Sequence, residues 1–289
     1  MNLTDINEIK AILARHGFRF SKALGQNFLT AAWVPEQIAA SAELDGETGV
    51  LEIGPGIGCL TRELSARAAK VVSVELDARL QPILAETLTG CENVEVVFGD
   101  ILKQDLPRLL EETMPGLRHV VCANLPYNVT SPVLTALLRS GCFETITVMI
   151  QREVARRICA SPGEADYGAF GIFVQWYAET ELLFDVSPGC FVPQPKVTSS
   201  VIRLKRRAAP PVEVADEALF FAIVRAAFNQ RRKTLVNALS SQLPGLDKEQ
   251  AADVLTCLGY DPRIRGEVLE LGGFAKICNE IAGRKNMDL

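Results

Sequence analysis

Residues that carry much of enzyme chemistry are scarce in this sequence. Its 289 residues include two histidines, His16 and His119, and neither stands in a metal-binding or catalytic motif. Eight cysteines are scattered along the chain without a Cys-x-x-Cys pair, which argues against a zinc site. We therefore expect structural histidines, cysteines that behave as small buried apolar residues, and no bound metal.

Long apolar runs and an excess of basic residues are also missing. No apolar run reaches the roughly 18 residues that a membrane span needs, and the first ten residues do not have the order of a signal peptide. These absences predict a cytoplasmic protein without membrane association. The net charge of -5 counts against nucleic-acid binding over the whole surface. A local basic patch would still allow it, and basic residues cluster at 152–157, 203–207 and 231–233.

Short apolar runs alternate with amphipathic stretches over the first two thirds of the chain. This alternation predicts an α/β fold, in which helices cover both faces of a parallel sheet. A first helix is predicted from an N-cap at Thr4 to Gly17. The predicted strands are 49–53, 71–75, 94–98, 119–123, 145–150, 181–186 and 197–205. Beyond a proline-containing linker at 206–214 the pattern is only helical, so the predicted domains are 1–205 and a small all-α domain, 206–289.

A glycine-rich turn follows the first predicted strand, in Gly54-Pro55-Gly56-Ile57-Gly58. The dinucleotide fingerprint would require a further glycine at position 59, where this chain has Cys59. The spacing therefore favours a nucleoside-type cofactor without a pyrophosphate. A tight turn that uses glycine only for steric reasons would give a similar pattern.

Acidic residues end the next two predicted strands, at Glu75 and Asp100. A carboxylate at the first position can accept hydrogen bonds from both hydroxyls of a ribose, and one at the second can accept from an adenine amine. Either acid alone is commonly just a solvated strand end. Because the carboxyl ends of parallel strands meet at one edge, the two acids and the glycine-rich turn together predict a cofactor site there.

The fourth predicted strand leads into Asn124-Leu125-Pro126-Tyr127. This could be an ordinary loop, but it also fits methylation of an adenine amine, whose lone pair is delocalised into the ring. Two acceptors, the Asn124 side chain and the carbonyl of Leu125 or Pro126, would draw the nitrogen towards tetrahedral geometry. Tyr127 would stack on the base. Phe191 is the candidate for a second stacking surface, with core packing as the alternative.

Taken together, these motifs resemble the bacterial small-subunit ribosomal RNA adenine N6-dimethyltransferases, the KsgA/RsmA family. The resemblance covers nearly the whole chain and includes the segments 25–29, 52–58, 74–75, 99–100, 124–127, 191–197 and 228–235. It implies a Rossmann-like, seven-stranded class I methyltransferase sheet in which the last-inserted strand is antiparallel. It also implies that S-adenosyl-L-methionine is bound by Asn27, Leu29, Gly54, Glu75, Asp100 and Asn124.

The resemblance further implies dimethylation of two adjacent adenosines near the 3′ end of small-subunit ribosomal RNA, within a pre-ribosomal particle. Three rival functions remain: a macrolide-resistance methyltransferase acting on large-subunit RNA, an adenine-specific DNA methyltransferase, and a non-catalytic ribosome-assembly factor. The segment 228–235 argues against the first and Leu125 against the second. Intact cofactor and Asn124–Tyr127 motifs argue against the third.

RNA binding is predicted at the densest basic run, Arg231, Arg232 and Lys233, with help from the cluster at 203–207. Arg231 and Arg232 are expected to open a helix of the C-terminal domain. A solvated helix face is the alternative for such a run, and the family resemblance favours the RNA contact.

Overall fold

The computed structural model describes residues 1–21 and 24–287, and side chains as far as residue 284. The strands, in chain order, are β1 (Phe28–Leu29), β2 (Thr48–Ile53), β3 (Lys70–Glu75), β4 (Val94–Phe98), β5 (Arg118–Asn124), β6 (Thr145–Gln151), β7 (Ala178–Val186), β8 (Phe191–Val192) and β9 (Ser199–Arg206). Each of the seven longer strands was predicted, with its ends displaced by no more than three residues.

The seven longer strands form one sheet in the order β4-β3-β2-β5-β6-β9-β7. Strands β2 to β6 pair in parallel with one another, whereas β9 pairs antiparallel with β6. The predicted seven-stranded sheet with an inserted antiparallel strand is therefore confirmed. Strands β1 and β8 form a separate antiparallel pair. The central strands β2 and β6 are buried along nearly their whole length, because helices cover both faces of a parallel sheet.

Helices connect these strands and make up the end of the chain. They are α1 (Ile6–Arg15), α2 (Trp33–Ala40), α3 (Cys59–Ser65), α4 (Gln81–Thr87), α5 (Leu106–Thr113), α6 (Thr130–Ser140), α7 (Arg152–Cys159), α8 (Ala169–Tyr177), α9 (Glu217–Asn229), α10 (Leu235–Gln242), α11 (Lys248–Cys257) and α12 (Leu271–Met287). In the part of the chain that the structure describes, no helix combines the length and the apolar composition needed to cross a membrane.

The chain divides into two compact units. The first comprises Met1–Ala155 and Glu179–Arg206, and the second comprises Arg156–Ala178 and Arg207–Leu289. The predicted division after residue 205 differs from this, because α8 packs into the apolar core of the helical unit. Trp176 lies 4.6 Å from Phe220, between ring centroids, and both side chains are buried in that core. The helical unit is therefore discontinuous in sequence.

Two local predictions were wrong. The first helix is capped by Asp5 and not by Thr4, because the Asp5 carboxylate accepts hydrogen bonds from the backbone N–H groups of residues 7 and 8. Arg231 and Arg232 do not open a helix. They lie in the turn after α9, and α10 begins later because Thr234 caps it through the N–H of Asn237.

Candidate active site

The turn between β2 and α3 is built on glycines in left-handed backbone conformations. Gly54, Gly56 and Gly58 have φ values of 69°, 59° and 89°. Any other residue would be strained there, and a Cβ atom on Gly56 would come within 3.1 Å of the Phe28 ring. The turn therefore leaves backbone close to the sheet edge and exposes it to a ligand without intervening side chains.

Glu75, the last residue of β3, lies beside this turn. Its side chain is buried, and its two carboxylate oxygens accept the N–H of Asp77 at 2.8 Å and the N–H of Gly56 at 3.4 Å. Burial raises the pKa of the Glu75 carboxyl group, and the two backbone donors oppose that shift. Each oxygen retains a second lone pair that can accept a ligand hydroxyl.

Asp100 follows β4 at the same edge of the sheet. One of its oxygens, Oδ1, accepts the N–H of Leu102 at 3.0 Å, which fixes the carboxylate at the start of a short 3-10 turn. The N–H of Gly99 bonds to the Glu75 carbonyl oxygen at 2.8 Å and holds this turn against the end of β3. The two predicted acids therefore lie on neighbouring strand ends.

Sequence reasoning assigned no role to Glu52, which is only 1 % exposed and lies two residues before Gly54. Its carboxyl group accepts hydrogen bonds from the hydroxyls of Thr61 at 2.7 Å and Ser73 at 2.6 Å. Burial, opposed by these bonds and reinforced by the charge of Glu75, raises the pKa of Glu52 to about 7. The side chain connects β2 to α3 and β3, so it stabilises the glycine-rich turn that lies between β2 and α3.

Asn124 ends β5, where its backbone pairs with Met149 of β6. The N–H of Leu125 continues this pairing by donating to the Met149 carbonyl oxygen at 3.1 Å. The carbonyl oxygen of Pro126 accepts from the N–H of Val129 and from the hydroxyl of Thr130, both at 3.2 Å. Pro126 therefore uses its carbonyl to start α6, which leaves the Leu125 carbonyl as the better candidate for a substrate amine.

Tyr127 is fixed at one end of its ring. Its hydroxyl and that of Ser199 lie 2.6 Å apart and share a hydrogen bond. Partial burial raises the pKa of the Tyr127 hydroxyl, so this group is neutral at physiological pH. The hydrogen bond fixes the orientation of a ring that can present a face to a base.

The loop before β1 closes over the same region. Asn27 donates from its side-chain amide to the carbonyl oxygen of Gly25 at 3.0 Å. Leu29 is buried and pairs in register with Phe191 of β8. The N–H of Thr30 continues this pairing by bonding to the carbonyl oxygen of Cys190 at 2.8 Å.

One cavity at the carboxyl edge of the sheet gathers most of the predicted residues. Its walls include all of the predicted cofactor residues and the whole Asn124–Tyr127 segment. The six cofactor residues are Asn27, Leu29, Gly54, Glu75, Asp100 and Asn124. Leu76 and Leu102 also line the cavity, and both are exposed, at 57 % and 42 %. Sequence reasoning missed these two leucines, although each follows a predicted acid closely and exposed apolar residues beside strand-end acids suit a flat ring.

Phe191 is not among the residues that line this cavity. It is 5 % exposed and packs in the apolar core of the first unit, together with Leu29 and Val186. The structure therefore favours the core-packing alternative for Phe191 over a stacking surface.

The predicted RNA-binding residues lie in the helical unit. Arg231 bonds to the Glu267 carboxylate at 3.0 Å and to the Ala165 carbonyl oxygen at 2.7 Å. Among the described residues, Arg232 and Lys233 form no ion pair. From the other predicted cluster, Arg203 pairs with Glu43 and Glu181 within the first unit.

Across the described ranges, no three side chains of His, Cys, Asp or Glu come together as a metal site. The cysteines that this part of the chain contains are free thiols, and Cys59, Cys122 and Cys278 are buried. His16 contacts the Glu86 carboxylate at 2.7 Å, and His119 contacts the Met114 carbonyl oxygen at 2.9 Å. Both histidines therefore have structural partners.

Comparisons with known proteins agree with one another. Residues 17–257 match the family model described as ribosomal RNA adenine dimethylase. Proteins named ribosomal RNA small subunit methyltransferase A, from Geobacillus kaustophilus (strain HTA426) and Bacillus cereus (strain B4264), are 49 % and 46 % identical to the chain. The alignments cover 94 % and 96 % of this chain, and 94 % and 97 % of those proteins.

Solved structures show the same fold. A dimethyladenosine transferase from Plasmodium falciparum has a TM-score of 0.74 at 26 % identity, with coverage of 89 % of this chain and 98 % of that one. The 23S rRNA methyltransferase ErmE has a TM-score of 0.67 at 29 % identity, with coverage of 88 % and 99 %. The family match spans most of the sequence and the relatives align along nearly their whole length. The chain belongs to the ribosomal RNA adenine dimethylase family.

Proposed function

We propose that this protein transfers methyl groups from S-adenosyl-L-methionine to the N6 amines of two adjacent adenosines near the 3′ end of small-subunit (16S) ribosomal RNA. The observation that carries this proposal is the cavity that joins the glycine-rich turn, Glu75 and Asp100 to the segment Asn124–Tyr127. A nucleoside cofactor and a base amine could meet there.

The residues of the cavity suit this cofactor. The left-handed glycines at 54, 56 and 58 leave room for a ligand close to the backbone, and buried Glu75 retains acceptor lone pairs for two ribose hydroxyls. Asp100 would accept from the adenine amine through Oδ2, since Oδ1 holds its own turn. Leu76 and Leu102 offer apolar faces for the purine ring. When bound, S-adenosyl-L-methionine supplies an electrophilic methyl group.

The chain contributes positioning to this chemistry. Asn124 Oδ1 and the Leu125 carbonyl oxygen would accept the two N–H bonds of the adenine amine, which localises the nitrogen lone pair towards the methyl group. With the methyl donor bound, the adenine nitrogen would bond to the methyl carbon as the carbon–sulfur bond breaks, and the amine proton would pass to solvent. Acceptors of this kind matter most as the nitrogen becomes tetrahedral.

The same arrangement would allow a second transfer to the same amine. After one transfer the amine has a single N–H, so only one of the two acceptors can be used in the second turnover. The Leu125 carbonyl oxygen belongs to the backbone and would stay fixed. The Asn124 acceptor is on a side chain, so it could adjust when the amine carries a methyl group. Tyr127, held by Ser199, would stack on the base in both turnovers.

The relatives support the small subunit as the substrate. Proteins 46–49 % identical over more than nine tenths of the chain are named as small-subunit methyltransferases, whereas the 23S rRNA enzyme is 29 % identical. This difference disfavours the large-subunit alternative. An assembling small-subunit particle, recognised largely by shape, is the proposed partner, and the cytoplasm is the proposed location.

The experiment that tests the proposal uses the purified chain with labelled S-adenosyl-L-methionine and unmethylated ribosomal particles. We expect label on two adjacent adenosines near the 3′ end of small-subunit RNA, mapped by mass spectrometry of nuclease fragments. Label confined to large-subunit RNA would support the alternative enzyme and overturn our proposal. A parallel map of RNA from cells with and without the protein should show the same two positions.

The Asn124→Ala variant separates catalysis from a purely assembling role. We expect it to bind small-subunit particles as the wild type does while losing methyl transfer by at least about a hundredfold, the usual scale for the removal of a transition-state acceptor. Asn7→Ala, at an exposed asparagine of α1 that does not line the cavity, serves as the matched control. Turnover by Asn124→Ala at nearly the wild-type rate would refute the amine mechanism.

A further inference from the structure

A hydrogen bond between Gln26 and Asp77 connects the loop before β1 to the segment that follows β3. The Gln26 side-chain amide donates from Nε2 to Asp77 Oδ2 at 2.8 Å. The same Gln26 accepts the backbone N–H of Ser21 through Oε1 at 2.9 Å, so both ends of its amide are used. Sequence reasoning quoted Gln26 within a motif and gave neither residue a function.

The Asp77 carboxylate is buried and fixed by several hydrogen bonds. Its side chain is 5 % exposed, and it also receives Arg79 through Nε at 2.8 Å and Nη2 at 2.6 Å. These bonds hold the pKa of Asp77 below its usual range, with Arg79 as the largest cause and Gln26 as a further one. A carboxylate fixed in this way is a rigid anchor for the Gln26 amide.

Asp77 also reaches the cofactor cavity through its backbone. Its N–H donates to Glu75 Oε1 at 2.8 Å, so the residue that anchors Gln26 also orients the proposed ribose-binding carboxylate. On the other side, Gln26 immediately precedes Asn27, which lines the cavity. One buried aspartate thus joins the two walls of the cavity.

The loop has a second attachment at its far end. Leu29 pairs with Phe191, and Thr30 donates its N–H to the Cys190 carbonyl oxygen. Between these two attachments lie Asn27 and Phe28, and Phe28 packs against Gly56 of the glycine-rich turn. The Gln26 bond therefore adds a polar attachment at the near end of the segment to the strand pairing at its far end and the packing of Phe28 between them.

We propose that the Gln26–Asp77 hydrogen bond is a latch that positions Asn27 over the cofactor cavity and couples this loop to Glu75. Gln26 is thus a positioning residue that need not touch the ligand. This inference rests on the proposed function for the identity of the ligand, whereas the ordering of the loop is a property of the chain alone.

The first test measures loop order without ligand, by hydrogen exchange of peptides that span residues 24–30. Gln26→Met keeps the length of the side chain and removes both hydrogen bonds, and Asp77 keeps Arg79 as its partner. We expect faster exchange over this segment in Gln26→Met and no change in Gln37→Met, a matched substitution at an exposed position of α2. Exchange as slow as in the wild type would overturn the latch.

The second test measures affinity for S-adenosyl-L-methionine and for its demethylated product by calorimetry. We expect Gln26→Met to weaken both by about tenfold, the scale of one hydrogen bond to a charged group. In an Asn27→Ala background the same substitution should change affinity by less than about twofold, because Gln26 acts through Asn27. Additive effects, or unchanged affinity in Gln26→Met, would refute this coupling. If the wild-type protein binds neither compound, the proposed function fails, and the exchange experiment still decides the latch.

Discussion

Phe191 is the register partner of Leu29 in the antiparallel pair of β1 and β8. Both side chains are buried, Phe191 at 5 % and Leu29 at 4 % exposure, but only one of them lines the cavity. Leu29 lines the cavity of the proposed active site, whereas Phe191 does not line it and contacts the apolar core that includes Val186. In this arrangement Phe191 supports the cavity wall from the side of the core.

This placement predicts different results for two substitutions of Phe191. Phe191→Ala should lower the free energy of unfolding by roughly 3–5 kcal/mol, because it removes a buried ring. Phe191→Leu keeps much of the apolar volume, so it should cost less stability and retain most methyl transfer. Urea denaturation and single-turnover transfer measure the two properties. A Phe191→Leu variant with nearly native stability and little turnover would instead favour the stacking role that the sequence suggested.

A second prediction concerns the proposed ribose contact of Glu75. Glu75→Ala should weaken S-adenosyl-L-methionine binding by roughly 1.5–3 kcal/mol, since two hydroxyls lose a charged acceptor. Calorimetric titration measures this effect, and Glu112→Ala, at an exposed acid of α5, is the matched control. NAD should not bind tightly, because Cys59 replaces the third glycine of the dinucleotide fingerprint, which allows close packing of the helix against the strand. Wild-type affinity in Glu75→Ala would remove this residue from the cofactor site.

Much of the sheet could be predicted because its pattern is local. Buried parallel strands such as β2 and β5 are short, mostly apolar runs, and the carboxyl ends of such strands must meet at one edge. Glu75, Asp100 and Asn124 could therefore be brought together from sequence. The antiparallel insertion of β9 came from the family resemblance, since no local pattern specifies the order of strands.

The remaining features depend on contacts between distant residues. Glu52 stands in an apolar strand, and nothing in its neighbours along the chain reveals that Thr61 and Ser73 donate to it. The Gln26–Asp77 bond joins residues 51 positions apart. The membership of α8 in the helical unit likewise depends on packing against Phe220, which periodicity cannot show.

The buried Glu52 predicts a pH dependence of stability. Its pKa is raised from 4.5 to about 7, mainly by burial, so the folded state keeps a proton that the unfolded chain loses. Stability from this group is complete below pH 4.5 and falls as the pH rises to about 7.

The test compares the wild type with Glu52→Gln, which cannot ionise. We expect Glu52→Gln to gain stability relative to the wild type by roughly 2–3 kcal/mol between pH 5 and pH 8. Chemical denaturation at each pH measures the difference, and groups other than Glu52 cancel in the comparison. A constant difference across this range would show that Glu52 has an ordinary pKa in the folded protein.

The last prediction divides the basic run of the helical unit by role. Arg231 is engaged with Glu267 and with the Ala165 carbonyl oxygen, whereas Arg232 and Lys233 have no ion pair among the described residues. Arg231→Ala should therefore lower stability, by about 1 kcal/mol for a half-exposed pair of this kind.

The double variant Arg232→Glu/Lys233→Glu should retain its stability and its cofactor affinity. Its binding to small-subunit particles should be much weaker, and the salt dependence of that binding should fall by roughly 0.7–0.9 for each phosphate that is no longer neutralised. Sedimentation across a salt series measures this binding, and Lys276→Glu, an exposed cation of α12, controls for the change in charge. Undiminished particle binding by the double variant would mean that the RNA-binding surface lies elsewhere on the protein.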